Sequence, residues 1–226
     1  MYKILIMKEP KQEYKPIRLN RYIANASACT RREADQLIKE GKIRVNGKIV
    51  TELGTKVKRS DTVEWNEKKL QARRKIYLLL NKPKGFISTV KNTEAPRHVI
   101  QLVKNACKER IYPINQLDRE DTGLLLFTND GDLTRKLTAP TYRKSQVFRI
   151  NLNKPLSEEH LKLIKKGIKI ENEVIEVPNI RWADEKDKTN IGIELLSHKN
   201  RVVKRIFKQL GYKVIKVDRV LLKFFK

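Results

Sequence analysis

Local signals between residues 18 and 50 allow essentially one order of elements: a helix, a second helix and a hairpin. Apolar residues recur at spacings of three and four in residues 18–26, which predicts a short amphipathic helix. Thr30 and Glu33 match a capping box, in which each side chain satisfies a free amide of the first turn. Gly41 is placed to end the second helix.

The hairpin is predicted by the dipeptide Asn46–Gly47, which lies between the two alternating arms of residues 43–50. These residue types accept the positive φ angles of a two-residue turn. We therefore expect a compact module over residues 15–65. A polar N-terminal arm (residues 1–14) should precede it, and residues 66–75, which carry almost no apolar side chain, should form a linker.

The chain is strongly basic, with 51 Lys and Arg against 26 Asp and Glu and a net charge of +25. Such a field binds polyanions and releases their counterions, so we expect a nucleic-acid partner. An apolar content of 39% is enough for a core and excludes a wholly disordered basic tail. An alternative interpretation is that the basic side chains of the module form a surface that is only solvated. The module has too few acidic residues to neutralise its cations, which favours the binding of a polyanion. Five of these cations lie largely off the apolar stripes and can share one face: Arg18, Arg21, Arg31, Arg32 and Lys39.

Several other classes of protein are disfavoured by the sequence. Cys29 and Cys107 lie far apart and match neither a zinc motif nor a disulfide-stapled secreted fold. The apolar runs are too short for a signal peptide or a membrane span. We expect a cytoplasmic monomer that binds no metal.

The larger part of the chain, residues 76–226, carries a conspicuous apolar strand at 123–128. A polar loop precedes the strand, and a turn and a helix beginning near Asp132 follow it. Upstream, we expect a strand, a tight turn at Lys82–Gly85 and a second strand within residues 76–90, and then a helix over residues 97–108.

Asp118 lies in the polar loop just before this strand, where reactive carboxylates are often found. Glu120 and Asp121 are equally available from spacing alone. Asp118 with Asp121 could form the carboxylate pair of a glycosidase, although so basic a surrounding is unusual for one. Asp130 and Asp132 are more simply explained as turn formers than as metal ligands.

Four segments carry a family resemblance. The segment SACTRREADQLIKEGKIRVNG, within residues 17–63, resembles the αL RNA-binding motif found in a ribosomal small-subunit protein and many RNA-modifying enzymes. The run LDREDTGLLLFTNDG (117–131) resembles the signature loop of the RsuA-type pseudouridine synthases. Two further runs are similar to other motifs of that family: LNKPKGFIST (80–89) and KNRVVKRIFKQLGYKV (199–214).

The resemblance implies an αL motif joined to an α+β domain, built on a mixed, mainly antiparallel sheet with flanking helices and a cleft over the Asp118 loop. It implies a cofactor-independent isomerase that flips a uridine out of ribosomal RNA, more specifically of the large subunit, and rejoins the base through C5. Asp118 corresponds to the indispensable aspartate. Phe148 corresponds to an aromatic that stacks on the base, and Lys204 to the cation that keeps the aspartate ionised.

Several family positions differ in this chain. Asn115–Gln116 replaces Gly-Arg, Phe148 replaces Tyr, and Lys204 replaces Arg. An alternative is therefore a synthase-like protein that binds ribosomal RNA or an assembling ribosomal particle without catalysis. Besides the αL cations, the residues expected to contact RNA are Gln116, Arg119, Arg201 and Arg205.

Overall fold

A computed structural model describes residues 2–5, 16–27, 29–58, 60–71, 74–89, 96–139, 145–171, 173–196 and 201–223. The chain divides into two compact units. The small unit is Ile6–Ile76, and the large unit combines Met1–Leu5 with Tyr77–Lys226.

The first strand of the large unit is β1 (Tyr2–Leu5). The described residues of the small unit form two helices and six short strands: β2 (Ile17–Arg18), α1 (Leu19–Ala26), α2 (Arg31–Lys39), β3 (Ile43–Val45), β4 (Lys48–Ile49), β5 (Lys56–Val57), β6 (Val63–Trp65) and β7 (Lys68–Lys69). Strands β4, β3, β6 and β7 form one sheet in that order, and β2 pairs with β5. The predicted order of helix, helix and hairpin is confirmed.

Local chemistry explains the geometry of the small unit. The Thr30 hydroxyl accepts from the Glu33 backbone N–H at 3.2 Å, and the Glu33 carboxylate accepts from the Thr30 N–H at 2.5 Å. Both groups of the capping box are therefore satisfied. Asn46 and Gly47 have φ values of 51° and 80°, as the hairpin turn requires. The core beneath the two helices consists of Leu19, Ile23, Ala34, Ile38, Ile43, Val57 and Val63.

The large unit is built on an eight-stranded mixed sheet. Its seven-strand path runs β1, β8 (Tyr77–Lys82), β10 (Thr122–Thr128), β16 (Val214–Lys223), β11 (Ser145–Leu152), β15 (Asn190–Leu195) and β14 (Asn179–Trp182), and β9 (Tyr112–Ile114) pairs with β10. The β10–β16 pair is parallel, and the other pairs are antiparallel. Residues 168–170 (β12) and 173–175 (β13) form a separate hairpin. The expected α+β class is confirmed.

Four helices flank this sheet: α3 (Val99–Val103), α4 (Gly131–Thr138), α5 (Glu158–Lys165) and α6 (Val202–Gln209). Helix α6 places Val202, Val203, Ile206 and Phe207 in the core, which agrees with its apolar spacing. The Asp130 side chain caps α4 by accepting from the N–H groups of Asp132 and Leu133. Among the described residues, no helix is long and apolar enough to cross a bilayer.

Four local expectations were wrong. Residues 2–5, expected in a loose arm, pair with β8, whose backbone groups they satisfy. Lys68–Lys69, expected in the linker, pair with β6. After the turn at residues 82–85, the described residues 86–89 form no second strand, and Ile87 makes an isolated bridge with His98. Helix α3 covers five residues rather than the twelve expected.

Candidate active site

The candidate site is built around a turn immediately before β10. The Asp121 N–H donates to the Asp118 carbonyl at 3.1 Å, which closes a four-residue turn. This turn brings two carboxylates, those of Asp118 and Asp121, to the same lysine.

Two buried polar side chains fix the backbone of this turn. The Ser88 hydroxyl donates to the Leu117 carbonyl at 2.5 Å and accepts from the Leu117 N–H at 3.0 Å. The Lys82 ammonium donates to the carbonyls of Asp121 (2.7 Å), Arg119 (3.2 Å) and Pro83 (3.2 Å). Charged donors make strong hydrogen bonds in a buried setting, so the turn is held from behind by Lys82.

Asp118 lies between two cations. Its Oδ2 is 3.1 Å from Lys204 Nζ, and its Oδ1 is 3.6 Å from Arg201 Nε. The Asp118 side chain is 31% exposed, so the carboxylate stays open to a ligand. Glu120, a competitor on sequence spacing, instead pairs at the surface with Lys84.

Asp121 is the buried partner of the same lysine. Its Oδ1 lies 2.6 Å from Lys204 Nζ, and its side chain is only 4% exposed. Burial raises the pKa of the Asp121 carboxyl, although the hydrogen bond and charge of Lys204 oppose that rise. Burial also lowers the pKa of Lys204, but hydrogen bonds and charges from Asp121 and then Asp118 outweigh it, and that pKa is raised.

Two further cations lie behind the turn. Burial lowers the pKa of Lys82 to about 8, and the negative charge of Asp121 limits the fall. Arg219 is completely buried, and it donates to the Leu124 carbonyl at 2.7 Å and to Gln146 Oε1 at 3.0 Å. Burial lowers the pKa of Arg219, again opposed by Asp121.

Sequence reasoning overlooked both residues. The missed signal is the period of two along the strands, which places Lys82 on the same face as Leu78 and Leu80, and Arg219 on the same face as Val217. A cation on the buried face of a strand needs partners inside the fold. Lys82 finds them in the carbonyls of the turn, and Arg219 finds them in Leu124 and Gln146 on the neighbouring strands.

An open pocket of about 600 Å³ lies over Asp118. This volume is typical of small-molecule sites. Its lining consists of Ile87, Ser88, Thr89, Gln116, Leu117, Asp118, Arg119, Arg201, Val202 and Arg205. Three arginines and one carboxylate therefore share the pocket, an arrangement suited to a phosphate-bearing ligand that places an electron-poor centre near Asp118.

The pocket lining includes Asp118, Gln116, Arg119, Arg201 and Arg205, and Lys204 pairs with the Asp118 carboxylate at 3.1 Å. Phe148 differs from expectation: it is 2% exposed, packs in the cluster that contains Leu117, and does not line the pocket. Its position in β11 directs the ring into the core between the sheet and the helices. A stacking role for Phe148 would therefore require the core to open.

In the small unit, four of the five predicted RNA-contacting cations are exposed: Arg18, Arg31, Arg32 and Lys39. Arg21 is half-buried. The first residues of the C-terminal motif, 199–200, lie outside the described residues.

Comparison with known proteins identifies the families that the two parts of the chain match. Residues 17–63 match the S4 domain, and residues 76–210 match a family described as RNA pseudouridylate synthase. The chain is 40% identical over 206 residues to the ribosomal large subunit pseudouridine synthase B of Bacillus subtilis (strain 168), covering 89% of this chain and 84% of that protein. It is 31% identical over 206 residues to the dual-specificity RNA pseudouridine synthase RluF of Escherichia coli (strain K12), covering 90% and 69%.

A crystal structure of a pseudouridylate synthase has the same fold, with a TM-score of 0.60 at 24% identity over 91% of this chain and 88% of that one. The mixed sheet, its carboxylate-bearing turn and the appended S4 domain thus define an RNA-modifying isomerase. The chain belongs to the RNA pseudouridylate synthase family, as the motifs in its sequence indicated.

Proposed function

We propose that this protein converts a specific uridine of large-subunit ribosomal RNA to pseudouridine, with Asp118 as its catalytic carboxylate. The observation that carries the proposal is the Asp118 carboxylate itself, which is paired with Lys204 and Arg201 at the edge of an arginine-lined pocket. The names of two relatives, a large-subunit synthase and a dual-specificity synthase, support the choice of RNA.

The isomerisation of uridine requires one negatively charged group near the ribose. The N1–C1′ bond of the uridine breaks, the uracil turns, and a C5–C1′ bond forms. The proton on C5 leaves and N1 gains one, so the product is an isomer of the substrate. C1′ becomes electron-poor as the first bond breaks, and the Asp118 carboxylate stabilises it or bonds to it. Lys204 and Arg201 hold that carboxylate in place.

Binding must also extract the uridine from its helix. Unstacking a base costs a few kcal/mol. Arg119, Arg201 and Arg205 around the pocket would offset this cost through contacts to phosphate. The exposed cations of the small unit would add affinity to structured RNA. The protein would act as a monomer in the cytoplasm, on ribosomal RNA or an assembling particle.

A non-catalytic role in ribosome assembly is the competing proposal, and Gln116 favours it. The family resemblance implies an arginine at this pocket position, and glutamine provides no charge there. The intact pairing of Asp118 with Lys204 favours the enzyme instead, because binding alone does not require it.

Pseudouridine mapping in a strain that lacks the gene separates these two proposals. Carbodiimide treatment followed by primer extension should show a lost pseudouridine in large-subunit RNA, restored by the wild-type gene and by Glu120→Gln. Asp118→Asn should leave the site unmodified while retaining RNA binding in a gel-shift assay. Unchanged pseudouridine in the deletion strain, or full restoration by Asp118→Asn, would refute the proposed catalysis.

A further inference from the structure

The Lys204 ammonium pairs with two carboxylates of the same turn, and the two contacts differ in length and burial. Lys204 Nζ is 2.6 Å from Asp121 and 3.1 Å from Asp118. The Asp121 side chain is 4% exposed, whereas that of Asp118 is 31% exposed. Screening by water weakens a partly exposed ion pair more than a buried one, so the buried contact to Asp121 dominates the position of Nζ.

A lysine needs such a second anchor to be placed accurately. Its ammonium is a compact charge on a flexible four-carbon stem and lacks the planar fork with which arginine grips a carboxylate. With Asp118 as its only partner, Lys204 could follow that carboxylate in several arrangements. The Asp121 contact adds a second, buried anchor that restricts where Nζ can lie relative to Asp118.

Asp121 also balances the cations behind the turn. Its backbone carbonyl receives the Lys82 ammonium at 2.7 Å, and its charge acts on the buried guanidinium of Arg219. The carboxylate thus contacts Lys204 of α6, and its charge also acts on Lys82 of β8 and Arg219 of β16. The more exposed Asp118 does not have to serve as the counter-ion of this buried cluster.

We propose that Asp121 is a positioning residue for catalysis: it fixes the ammonium of Lys204, and through it the orientation of the Asp118 carboxylate. The inference rests on the proposed function, because it assigns Asp118 the reacting role. The two carboxylates of this turn thus have different roles: Asp121 fixes the Lys204 ammonium, and Asp118 contacts the substrate.

The test compares Asp121→Asn with Glu120→Gln, which removes the same charge from the same turn but at a surface pair with Lys84. Both variants change the formal charge of the protein by the same amount. The assay uses large-subunit RNA tritiated at uracil C5, since forming the C5–C1′ bond releases that tritium to water. Single-turnover rates and the RNA concentration giving half the maximal rate are measured for each variant.

We expect Asp121→Asn to lower the maximal rate about 10- to 100-fold, the loss typical of a misplaced catalytic group, and to leave the half-saturating RNA concentration within about twofold. Glu120→Gln should stay within about twofold of wild type in both. In a Lys204→Met background, adding Asp121→Asn should change the rate by less than about twofold, because Asp121 acts through Lys204.

If Asp121→Asn alone fails to fold, the double variant still tests the inference, because it has no unpaired ammonium at position 204. A double variant tenfold slower than Lys204→Met would overturn the inference, as would an Asp121→Asn rate equal to that of Glu120→Gln. If wild type releases no tritium from ribosomal RNA, the proposed function itself fails. If wild type is active but either of the two contradicting variant results is found, the proposed function stands and only the role of Asp121 is refuted.

Discussion

Replacing Gly123 by alanine should disrupt the junction of β10 and β16 next to the turn that carries Asp118 and Asp121. Gly123 pairs with Arg219 in the parallel part of the sheet and has a φ of 109°. A Cβ atom at this position would lie 2.4 Å from both the backbone nitrogen and the backbone oxygen of Arg219. Neither backbone atom can swing aside as a side chain could, so the two strands must separate.

The magnitude follows from two costs. An alanine held at this positive φ costs about 1 to 3 kcal/mol. Forcing a methyl group into a packed junction costs about 1 to 3 kcal/mol more. We therefore expect Gly123→Ala to lower the free energy of unfolding of the large unit by about 2 to 6 kcal/mol. At about 2 to 4 °C per kcal/mol for a domain of this size, its Tm should fall by roughly 4 to 24 °C.

Gly192→Ala is the matched control for calorimetry or circular dichroism. It lies in the same sheet, its φ is outside the left-handed region, and the nearest atom to an added Cβ is Arg181 Cγ at 3.9 Å. This variant should melt within a few degrees of wild type, or slightly above it, because alanine restricts the unfolded chain. Equal melting temperatures for the two variants would refute the reasoning about the junction.

Three further predictions concern Lys82 and the capping box of α2. Lys82→Met should lower Tm by only several degrees, because removing the charged ammonium relieves the burial that holds its pKa at about 8, and this relief offsets part of the lost hydrogen bonds to three carbonyls. Its tritium-release rate should still fall about tenfold, since the turn loses its anchor, and a full rate would contradict this. As pH rises from 8 toward 10, wild type should gain stability relative to Lys82→Met, because the unfolded chain still binds a proton at Lys82 that the folded chain has released. Denaturation at a series of pH values measures this gain. A difference in free energy of unfolding that does not change with pH would contradict it. Thr30→Ala should cost about 1 kcal/mol at the start of α2, seen as about fivefold faster amide hydrogen exchange in that helix, and unchanged exchange would argue against the capping box.

The sequence predicted those parts of the fold that local chemistry dictates. Thr30, Glu33, Gly41 and the Asn46–Gly47 pair act within a few residues of themselves, so the helices and hairpin of the small unit could be derived from them. The apolar run of β10 was equally clear, because a continuously apolar strand must be buried.

What remained hidden depends on contacts between distant segments. The β1–β8 pairing joins residues more than seventy positions apart, and no local pattern in Tyr2–Leu5 specifies a partner. Asp118 and Asp121 could not be distinguished by spacing, because their difference arises from burial against Lys82, Lys204 and Arg219. The buried state of Phe148 likewise follows from how α6 packs on the sheet.

The pairing of β1 with β8 makes the small unit an insertion between two neighbouring strands of one sheet. A truncation that starts at residue 77, the obvious way to isolate the large unit, would remove a strand from that sheet. The stripped edge of β8 would then offer unpaired N–H and C=O groups to other molecules, a recognised cause of aggregation. A soluble version of the large unit alone should instead join residues 1–5 to residue 77 through a short flexible linker.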